Sequence, residues 1–192
     1  MNLTKKLVLA SNSPRRKQIL ADAGFKFTVK LKNIDESFPA DMEAKEVPRY
    51  LSIKKADAFE LLDSDEILLT SDTIVALENE IMNKPANEAE AKIMLRKLSG
   101  KKHVVYTGVC LKSIEETISF VDDTSVYFKY LTDSEIDYYI KTCKPFDKAG
   151  AYGVQDFIGM VGISKIEGSY FTVMGLPIHK VYEALKKYIL NE

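Results

Sequence analysis

Apolar and polar residues follow one another in blocks that predict alternating strands and helices at the start of the chain. Residues 7–10 form a short apolar run typical of a buried strand. A polar turn follows, in which Ser13 fits a helix N-cap and Pro14 the first helical position, and Gly24 would end this helix. Residues 25–31 then alternate between apolar and polar, which predicts a half-buried strand.

The middle of the chain predicts another helix and two more strands. Apolar residues recur at helical spacing through residues 44–62, and Pro48 suggests that the helix begins near it. Two apolar runs, residues 67–69 and 74–77, predict strands, and the polar residues 70–73 lie between them.

The second half of the chain continues in the same way. Further helices are predicted over residues 87–98, 132–142 and 177–189, and further strands over residues 101–112, 117–131 and 161–166. The two central strands form a long hairpin. Strands interspersed with helices in this order predict an α/β or α+β fold built on a mixed sheet.

Composition and charge exclude several classes of protein. The chain has 192 residues, with 27 Lys and Arg against 28 Asp and Glu. The net charge of −1 gives no global field for holding a polyanion such as nucleic acid, so any anion site must be local. Apolar runs are too short for a membrane span or a secretion signal, and the two cysteines do not form a disulfide scaffold or a metal motif. We therefore expect a globular protein of the cytoplasm.

Two arginines in the first turn of a predicted helix are the first candidates for chemistry. Arg15 and Arg16 follow the polar turn that begins at Ser11, where the helix macrodipole disfavours cations by up to about 1 kcal/mol each. An anion bound by the exposed N–H groups and the guanidinium groups would account for their place. The alternative is that both arginines point into solvent.

Asp72 is the second candidate, because apolar runs flank it on both sides. A partly buried carboxylate at a strand end can bind Mg²⁺ or activate water. The alternative is an ordinary turn residue that caps a bend. Composition alone marks Lys55 and Lys84 as surface lysines.

The third candidate is the segment 147–155, whose glycines and alanines let the backbone approach a ligand closely. The amide of Gln155 can read one donor and one acceptor on a nucleobase. The alternative is a plain loop, because the glycine spacing matches neither a P-loop nor a dinucleotide fingerprint. His103 and His179 lie far apart in the chain, which argues against a catalytic triad or a zinc site.

Seven short motifs, taken in order along the chain, resemble the Maf family of nucleotide pyrophosphatases. The resemblance covers essentially the whole chain, and seven motifs in the family's order and spacing are highly specific. The motifs are residues 9–16 (LASNSPRR), 71–75 (SDTIV), 83–85 (NKP), 98–100 (LSG) with His103, 107–109 (TGV), 148–155 (KAGAYGVQ) and 175–177 (GLP).

The resemblance implies a single domain over residues 1–192, with a mixed twisted sheet flanked by helices, similar to inosine triphosphatases, and two lobes around a central cleft. It implies a house-cleaning hydrolase that cuts nucleoside triphosphates to monophosphate and pyrophosphate with a divalent metal cation, Mg²⁺ or Mn²⁺. Residues 151–155, AYGVQ, resemble the branch that acts on dTTP and UTP. The nucleotide is the expected partner, without nucleic acid or membrane, and a homodimer is left open.

The family's site residues carry over position by position. The resemblance implies catalytic roles for Asp72, Lys55, Lys84 and Gln155, substrate binding by Ser11, Arg15, Arg16, Thr73 and Gln155, and a metal held by Glu36 and Asp72. Asp72 would be the base or a metal-linked carboxylate. Asp35 adjoins Glu36, and either of the two could face the metal.

The chain departs from the family pattern at four positions, among them Ser71, where the family has a small Ala, and Thr172, where Asn is usual. Lys54 precedes Lys55 where the family commonly has Glu, and Asp156 follows Gln155 where the family commonly has Gly. Because Asp156 adjoins the loop that would read the base, it bears on nucleobase preference.

A function of a different class is also open. The family's older label is that of a septum-formation inhibitor, which implies a non-catalytic regulator of cell division acting through protein partners. A pure binding protein would have no use for a buried Asp72 beside a metal.

Overall fold

The computed structural model describes residues 1–59 and 62–190, and in these ranges it contains seven strands and seven α-helices. The strands are β1 (Lys6–Leu9), β2 (Phe27–Val29), β3 (Glu66–Leu77), β4 (Glu80–Met82), β5 (Lys102–Lys112), β6 (Thr117–Phe128) and β7 (Ile163–Glu167). The helices are α1 (Pro14–Asp22), α2 (Val47–Asp57), α3 (Glu88–Leu98), α4 (Asp133–Cys143), α5 (Phe157–Gly162), α6 (Tyr170–Val173) and α7 (Ile178–Leu185).

The strands form a mixed sheet in the order β2-β1-β3-β5-β6-β7, and β4 pairs with β3. Strand β1 is parallel to both β2 and β3, whereas β4 and β7 are antiparallel to their partners β3 and β6. A mixed sheet with helices between its strands confirms the fold class predicted from the sequence.

The chain divides into two compact units. Unit 1 comprises Met1–Asp72, Thr107–Asp122 and Gly175–Glu192, and unit 2 comprises Thr73–Tyr106 and Asp123–Met174. The chain passes from one unit to the other within strands β3, β5 and β6. The single domain over residues 1–192 stays a prediction.

In unit 1, helix α2 lies directly against strand β5. A Cβ atom on Gly108 would come within 2.2 Å of the carbonyl oxygen of Pro48, so only glycine fits at this position. The nearby core contains Val8, Ala56 and Leu68, all fully buried. This close approach of two backbones sets the position of the helix that carries Lys55.

In unit 2, the core lies between the second half of β3, strand β6 and helices α3, α4 and α5. Two tyrosines, Tyr139 and Tyr152, are buried within this apolar cluster. Helix α4 begins with the predicted capping box, in which the side chains of Thr132 and Glu135 each accept a hydrogen bond from the other's backbone N–H.

Strand β3 differs from its prediction. The two predicted strands 67–69 and 74–77 are one continuous strand that is buried along nearly its whole length. A strand covered on both faces does not show alternation, and its polar residues must find partners. Thr70 Oγ1 donates to the carbonyl oxygen of Ser52 at 2.6 Å, and Ser71 Oγ donates to that of Gly175 at 3.1 Å.

Several further boundaries differ: the predicted strand 117–131 ends at Phe128, and the predicted helix 177–189 ends at Leu185. The predicted strand 25–31 shortens to three residues at the sheet edge, and Leu31 is 58% exposed. The predicted helix 44–62 begins near Pro48, as expected, but ends at Asp57, and residues 60–61 lie outside the described part of the chain. Helix α5 was not predicted, and the strand expected at 161–166 follows it as β7.

Within the described residues, no helix has the length and apolar character needed to cross a membrane.

Candidate active site

Strand β1 leads through a polar turn into helix α1, and this turn fixes Arg16. Ser13 caps the helix, with its Oγ accepting from the Arg16 backbone N–H at 3.4 Å. The guanidinium donates through Nε to the carbonyl oxygen of Gly175 at 2.8 Å and through Nη1 to Ser11 Oγ at 3.4 Å. Arg16 is therefore held in a defined orientation, and the solvent-pointing alternative is wrong for this residue.

The carbonyl oxygen of Gly175 accepts two side-chain donors, Arg16 Nε and Ser71 Oγ. It ties helix α1 to the middle of strand β3. The sequence gives no sign of this role of Gly175, because the acceptor is a backbone atom more than a hundred residues away from both donors in the chain. No local pattern of residue types can predict such a contact.

Lys55 and Asp72 form the central ion pair of the site. Lys55 lies in the last turn of α2, where the helix dipole favours a cation, and its Nζ is 2.6 Å from Asp72 Oδ1. The same Nζ is 2.8 Å from Glu36 Oε1. Lys55 is therefore not the plain surface lysine that composition suggested, and Asp72 lies within strand β3 rather than at a strand end.

The structure also separates the two adjacent acids of the preceding loop. Glu36 contacts Lys55, whereas Asp35 accepts hydrogen bonds from the Ser37 side chain and backbone and lies 3.4 Å from Lys54 Nζ. The hydrogen bonds from Ser37 hold the pKa of Asp35 below its usual value. Lys54, where the family commonly has Glu, thus pairs with Asp35, whereas Glu36 pairs with Lys55.

Five charged residues of unit 1 form what we call the charged cluster: Arg15, Arg16, Glu36, Lys55 and Asp72. Burial lowers the pKa of Arg16, Asp72 and Glu36 oppose that shift, and the charge of Arg15 adds to it. These charges act on one guanidinium, so they share one electrostatic environment. The cluster holds three cationic side chains against two carboxylates, which is suited to an anionic ligand.

The two carboxylates of the charged cluster are also suited to a hard cation. Glu36 and Asp72 both contact the Lys55 ammonium, so a positive charge already lies between their oxygens. Mg²⁺ is commonly held by one or two carboxylates together with substrate phosphates. Over the described ranges, no group of three or more His, Cys, Asp or Glu side chains is arranged to hold a metal.

The other three predicted site residues lie in unit 2. Thr73 is half-buried in β3, directly after Asp72, and Lys84 is exposed just before the buried Pro85. Gln155 is exposed in a turn that the Asp156 backbone N–H closes onto the carbonyl oxygen of Gly153 at 3.1 Å. The site roles of Thr73, Lys84 and Gln155 stay predictions.

The segment before Gln155 is tightly packed rather than a loose loop. The Gly150 backbone N–H donates to the carbonyl oxygen of Asn83 at 3.2 Å, which brings this segment beside the one that carries Lys84. Gly150 has a φ of 68°, and a Cβ there would lie 3.1 Å from the Val75 side chain. Both the backbone conformation and the space favour glycine.

Anchored cations beside paired carboxylates are suited to binding phosphate groups, alone or together with a divalent cation. The chain belongs to the Maf family, because the family model described as "Maf-like protein" matches residues 6–188. The family resemblance stated from the motifs is thereby confirmed.

Curated relatives match over almost the full length of the chain. The dTTP/UTP pyrophosphatase of Phocaeicola vulgatus is 51% identical over 97% of this chain and 98% of the relative. Those of Cytophaga hutchinsonii and Bacteroides thetaiotaomicron are 49% and 48% identical, over 94% and 97% of this chain and 83% and 98% of the relatives. Among solved structures, the Staphylococcus aureus Ham1 protein matches with a TM-score of 0.42 and 17% identity, over 65% of this chain and 72% of that one.

Proposed function

We propose that this protein is a nucleoside triphosphate pyrophosphatase that cuts dTTP and UTP to the monophosphate and pyrophosphate. A relative that bears this name is 51% identical over nearly the whole chain. The observation that carries the proposal is the Lys55 ammonium held between Asp72 and Glu36, next to an anchored Arg16. A house-cleaning role, the removal of surplus or modified pyrimidine triphosphates, belongs to the same proposal.

The cations of the charged cluster would bind the triphosphate. In phosphoryl transfer the protein mainly positions the reactants and neutralises charge on the phosphate oxygens. Arg16 is suited to this because its contacts with Gly175 and Ser11 fix the guanidinium before substrate arrives. Arg15 lies one residue earlier, in the same first turn of α1, and would add a second charge-assisted contact.

Asp72 would act on the attacking water. The residue is largely buried and its carboxylate is oriented by Lys55, so it can accept a proton from water as the oxygen attacks the α-phosphorus. The bond from that phosphorus to the bridging oxygen then breaks, and pyrophosphate leaves with the electron pair. Asp72 afterwards releases its proton to solvent.

Glu36 and Asp72 would also hold a divalent cation, Mg²⁺ or Mn²⁺, because carboxylate oxygens are the ligands that these hard cations take in proteins. When bound, such an ion neutralises charge on the phosphates and polarises a phosphoryl oxygen. Lys55 would orient both carboxylates and add its charge to those of the two arginines.

We also propose roles for three residues of unit 2, which follow from the family resemblance. Thr73 and Lys84 would contact phosphate oxygens, and Gln155 would pair its amide with the uracil or thymine edge, which offers both a donor and an acceptor.

Because Cys110 and Cys143 are both free thiols, a reducing compartment suits the chain, and we place the activity in the cytoplasm. The partner is the nucleotide, without nucleic acid or membrane.

A regulator of septum formation without catalytic activity is the less favoured function. The curated relatives reported above are all named for an enzymatic activity. A binding protein would also gain nothing from orienting a buried carboxylate with a lysine.

The direct test is a nucleotide panel with the purified full chain. UTP, dTTP, CTP, ATP and GTP would each be incubated with Mg²⁺ or Mn²⁺, and the products separated by ion-exchange chromatography. We expect UTP and dTTP to be cut fastest, and to give monophosphate and pyrophosphate. Release of nucleoside diphosphate and inorganic phosphate would contradict the proposed site of cleavage. Equal rates with purine nucleotides would contradict the base preference. No hydrolysis of any nucleotide would contradict the enzymatic activity itself.

A further inference from the structure

The turn that carries Gln155 is held from inside unit 2 by one phenol. The hydroxyl of Tyr139, on helix α4, donates to Asp156 Oδ2 at 2.9 Å and accepts from the Gly153 backbone N–H at 3.1 Å. Gly153 and Asp156 are the first and last residues of the turn, which a backbone hydrogen bond between them also closes. Tyr139 thus bridges both ends of the turn, with Gln155 between them.

The surroundings of Tyr139 indicate that its hydroxyl has a specific role in this turn. Tyr139 has no exposed surface, and a phenylalanine would fill the same apolar space without a polar atom to satisfy. A Cβ on Gly153 would come within 2.5 Å of Asp156 Oδ2, so a side chain there would displace this carboxylate. Burial first, and the Asp156 carboxylate in addition, raise the pKa of the Tyr139 phenol, which keeps it protonated as a donor.

Asp156 has a second neighbour in Lys148. The Lys148 Nζ lies 3.7 Å from Asp156 Oδ2 and 2.7 Å from Asp147 Oδ1. The carboxylate that stands where the family commonly has Gly is therefore partnered on two sides. Its contacts link the start of α5 to α4 and to the segment before the turn.

We propose that Tyr139 and Asp156 are positioning residues that fix the Gln155 turn and thereby sharpen the choice of nucleobase. This inference rests on the proposed function, in which Gln155 pairs with the base. An amide distinguishes uracil from cytosine only when its donor and acceptor are held in register with the base edge, since cytosine presents the opposite pattern. A turn fixed at both ends supplies that register.

The test is a double-mutant cycle on the full-length chain. We would measure kcat and KM for UTP and CTP in Tyr139→Phe, Gln155→Ala and the double variant. We expect Tyr139→Phe to lower kcat/KM for UTP by about 3- to 10-fold, mainly through KM, and to lower the UTP to CTP ratio. In the Gln155→Ala background the same substitution should leave that ratio unchanged.

Two further variants separate positioning from folding. Asp156→Asn keeps an oxygen that accepts from Tyr139 and should retain the UTP to CTP ratio, whereas Asp156→Gly should lower it. Tyr127→Phe removes a hydroxyl that donates to Glu167 Oε2 at 2.5 Å elsewhere in unit 2, and should change neither constant. Thermal unfolding of each variant would be recorded alongside.

The outcomes distinguish the inference from the proposed function. If Gln155→Ala leaves the UTP to CTP ratio intact, the base-reading role of Gln155 is wrong. If Gln155→Ala lowers the ratio but Tyr139→Phe does not, or if the two effects multiply in the double variant, the positioning role of Tyr139 is overturned.

Discussion

The Nζ atom of Lys55 lies 2.6 Å from Oδ1 of Asp72, and this ion pair joins the last turn of α2 to the middle of β3. The two side chains are only 17% and 11% exposed. Solvent therefore screens the pair less than it screens a surface ion pair. The pair fixes the position of the Asp72 carboxylate within the charged cluster.

The first prediction concerns the loss of the Asp72 carboxylate. Asp72→Asn keeps the shape of the side chain but cannot accept a proton from water, so kcat for UTP should fall by about 10²- to 10⁴-fold. Binding of UTP, followed by calorimetry, should survive because Arg15, Arg16 and Lys55 remain. Asp57→Asn, which breaks an exposed pair with Lys112, is the matched control and should keep normal turnover. Normal turnover in Asp72→Asn would rule out its catalytic role.

The second prediction concerns the guanidinium of Arg16. Arg16→Lys keeps the charge but cannot reproduce the contacts of Nε with Gly175 and of Nη1 with Ser11. We expect kcat/KM for UTP to fall by the equivalent of about 1.5–3 kcal/mol, the worth of a charged hydrogen bond. Arg96→Lys, at an exposed pair with Asp133, serves as the control. An Arg16→Lys enzyme as active as the parent would show that charge alone suffices.

The third prediction is a pH dependence of stability that originates at His103. Burial lowers the pKa of His103 from 6.5 to about 4, so the folded state keeps the ring neutral while the unfolded state takes up a proton. Stability is then lost as the pH falls below 6.5, by about 2 kcal/mol between pH 7 and pH 5. Urea unfolding at both pH values measures this loss. His103→Gln should reduce it, whereas His179→Gln, at an exposed histidine, should leave it in place.

The fourth prediction tests the partner of His103. Its Nε2 lies 2.8 Å from the hydroxyl of Tyr152, and both side chains are buried beside Phe128. His103→Phe should cost about 1–3 kcal/mol of unfolding free energy, because the Tyr152 hydroxyl loses this partner in an apolar core. The double variant with Tyr152→Phe should regain most of that loss. Additive losses in the double variant would mean that packing, and not the hydrogen bond, explains the first result.

Local signals in the sequence predicted those parts of the fold that depend on local chemistry. Ser13 and Pro14 at the start of α1 and the capping box at Thr132 were found because caps involve residues three or four apart. Strand β3 was predicted as two pieces, because the partners that satisfy Thr70 and Ser71 are distant in the chain.

The candidate site shows the same contrast between local signals in the sequence and contacts between residues that are distant in the chain. Residue patterns drew attention to Arg16 and Asp72, whereas Lys55 had a role only through the family resemblance, because composition marked it as a surface lysine. The structure shows its ammonium in contact with two carboxylates. The bridge from Tyr139 to the Gln155 turn left no trace in the sequence beyond an aspartate at position 156. Residues that act through contacts across the fold carry no spacing signal of their own.

The contact of Gly108 with Pro48 has a consequence for protein engineering. Because the backbones of α2 and β5 touch there without any side chain between them, larger or smaller apolar residues cannot raise or lower the helix. A library meant to broaden the range of nucleotides should leave positions 48 and 108 constant. Useful variation belongs in the turn at residues 154–156, where a substitution can change the Gln155 region and leave the position of helix α2, which carries Lys55, unchanged.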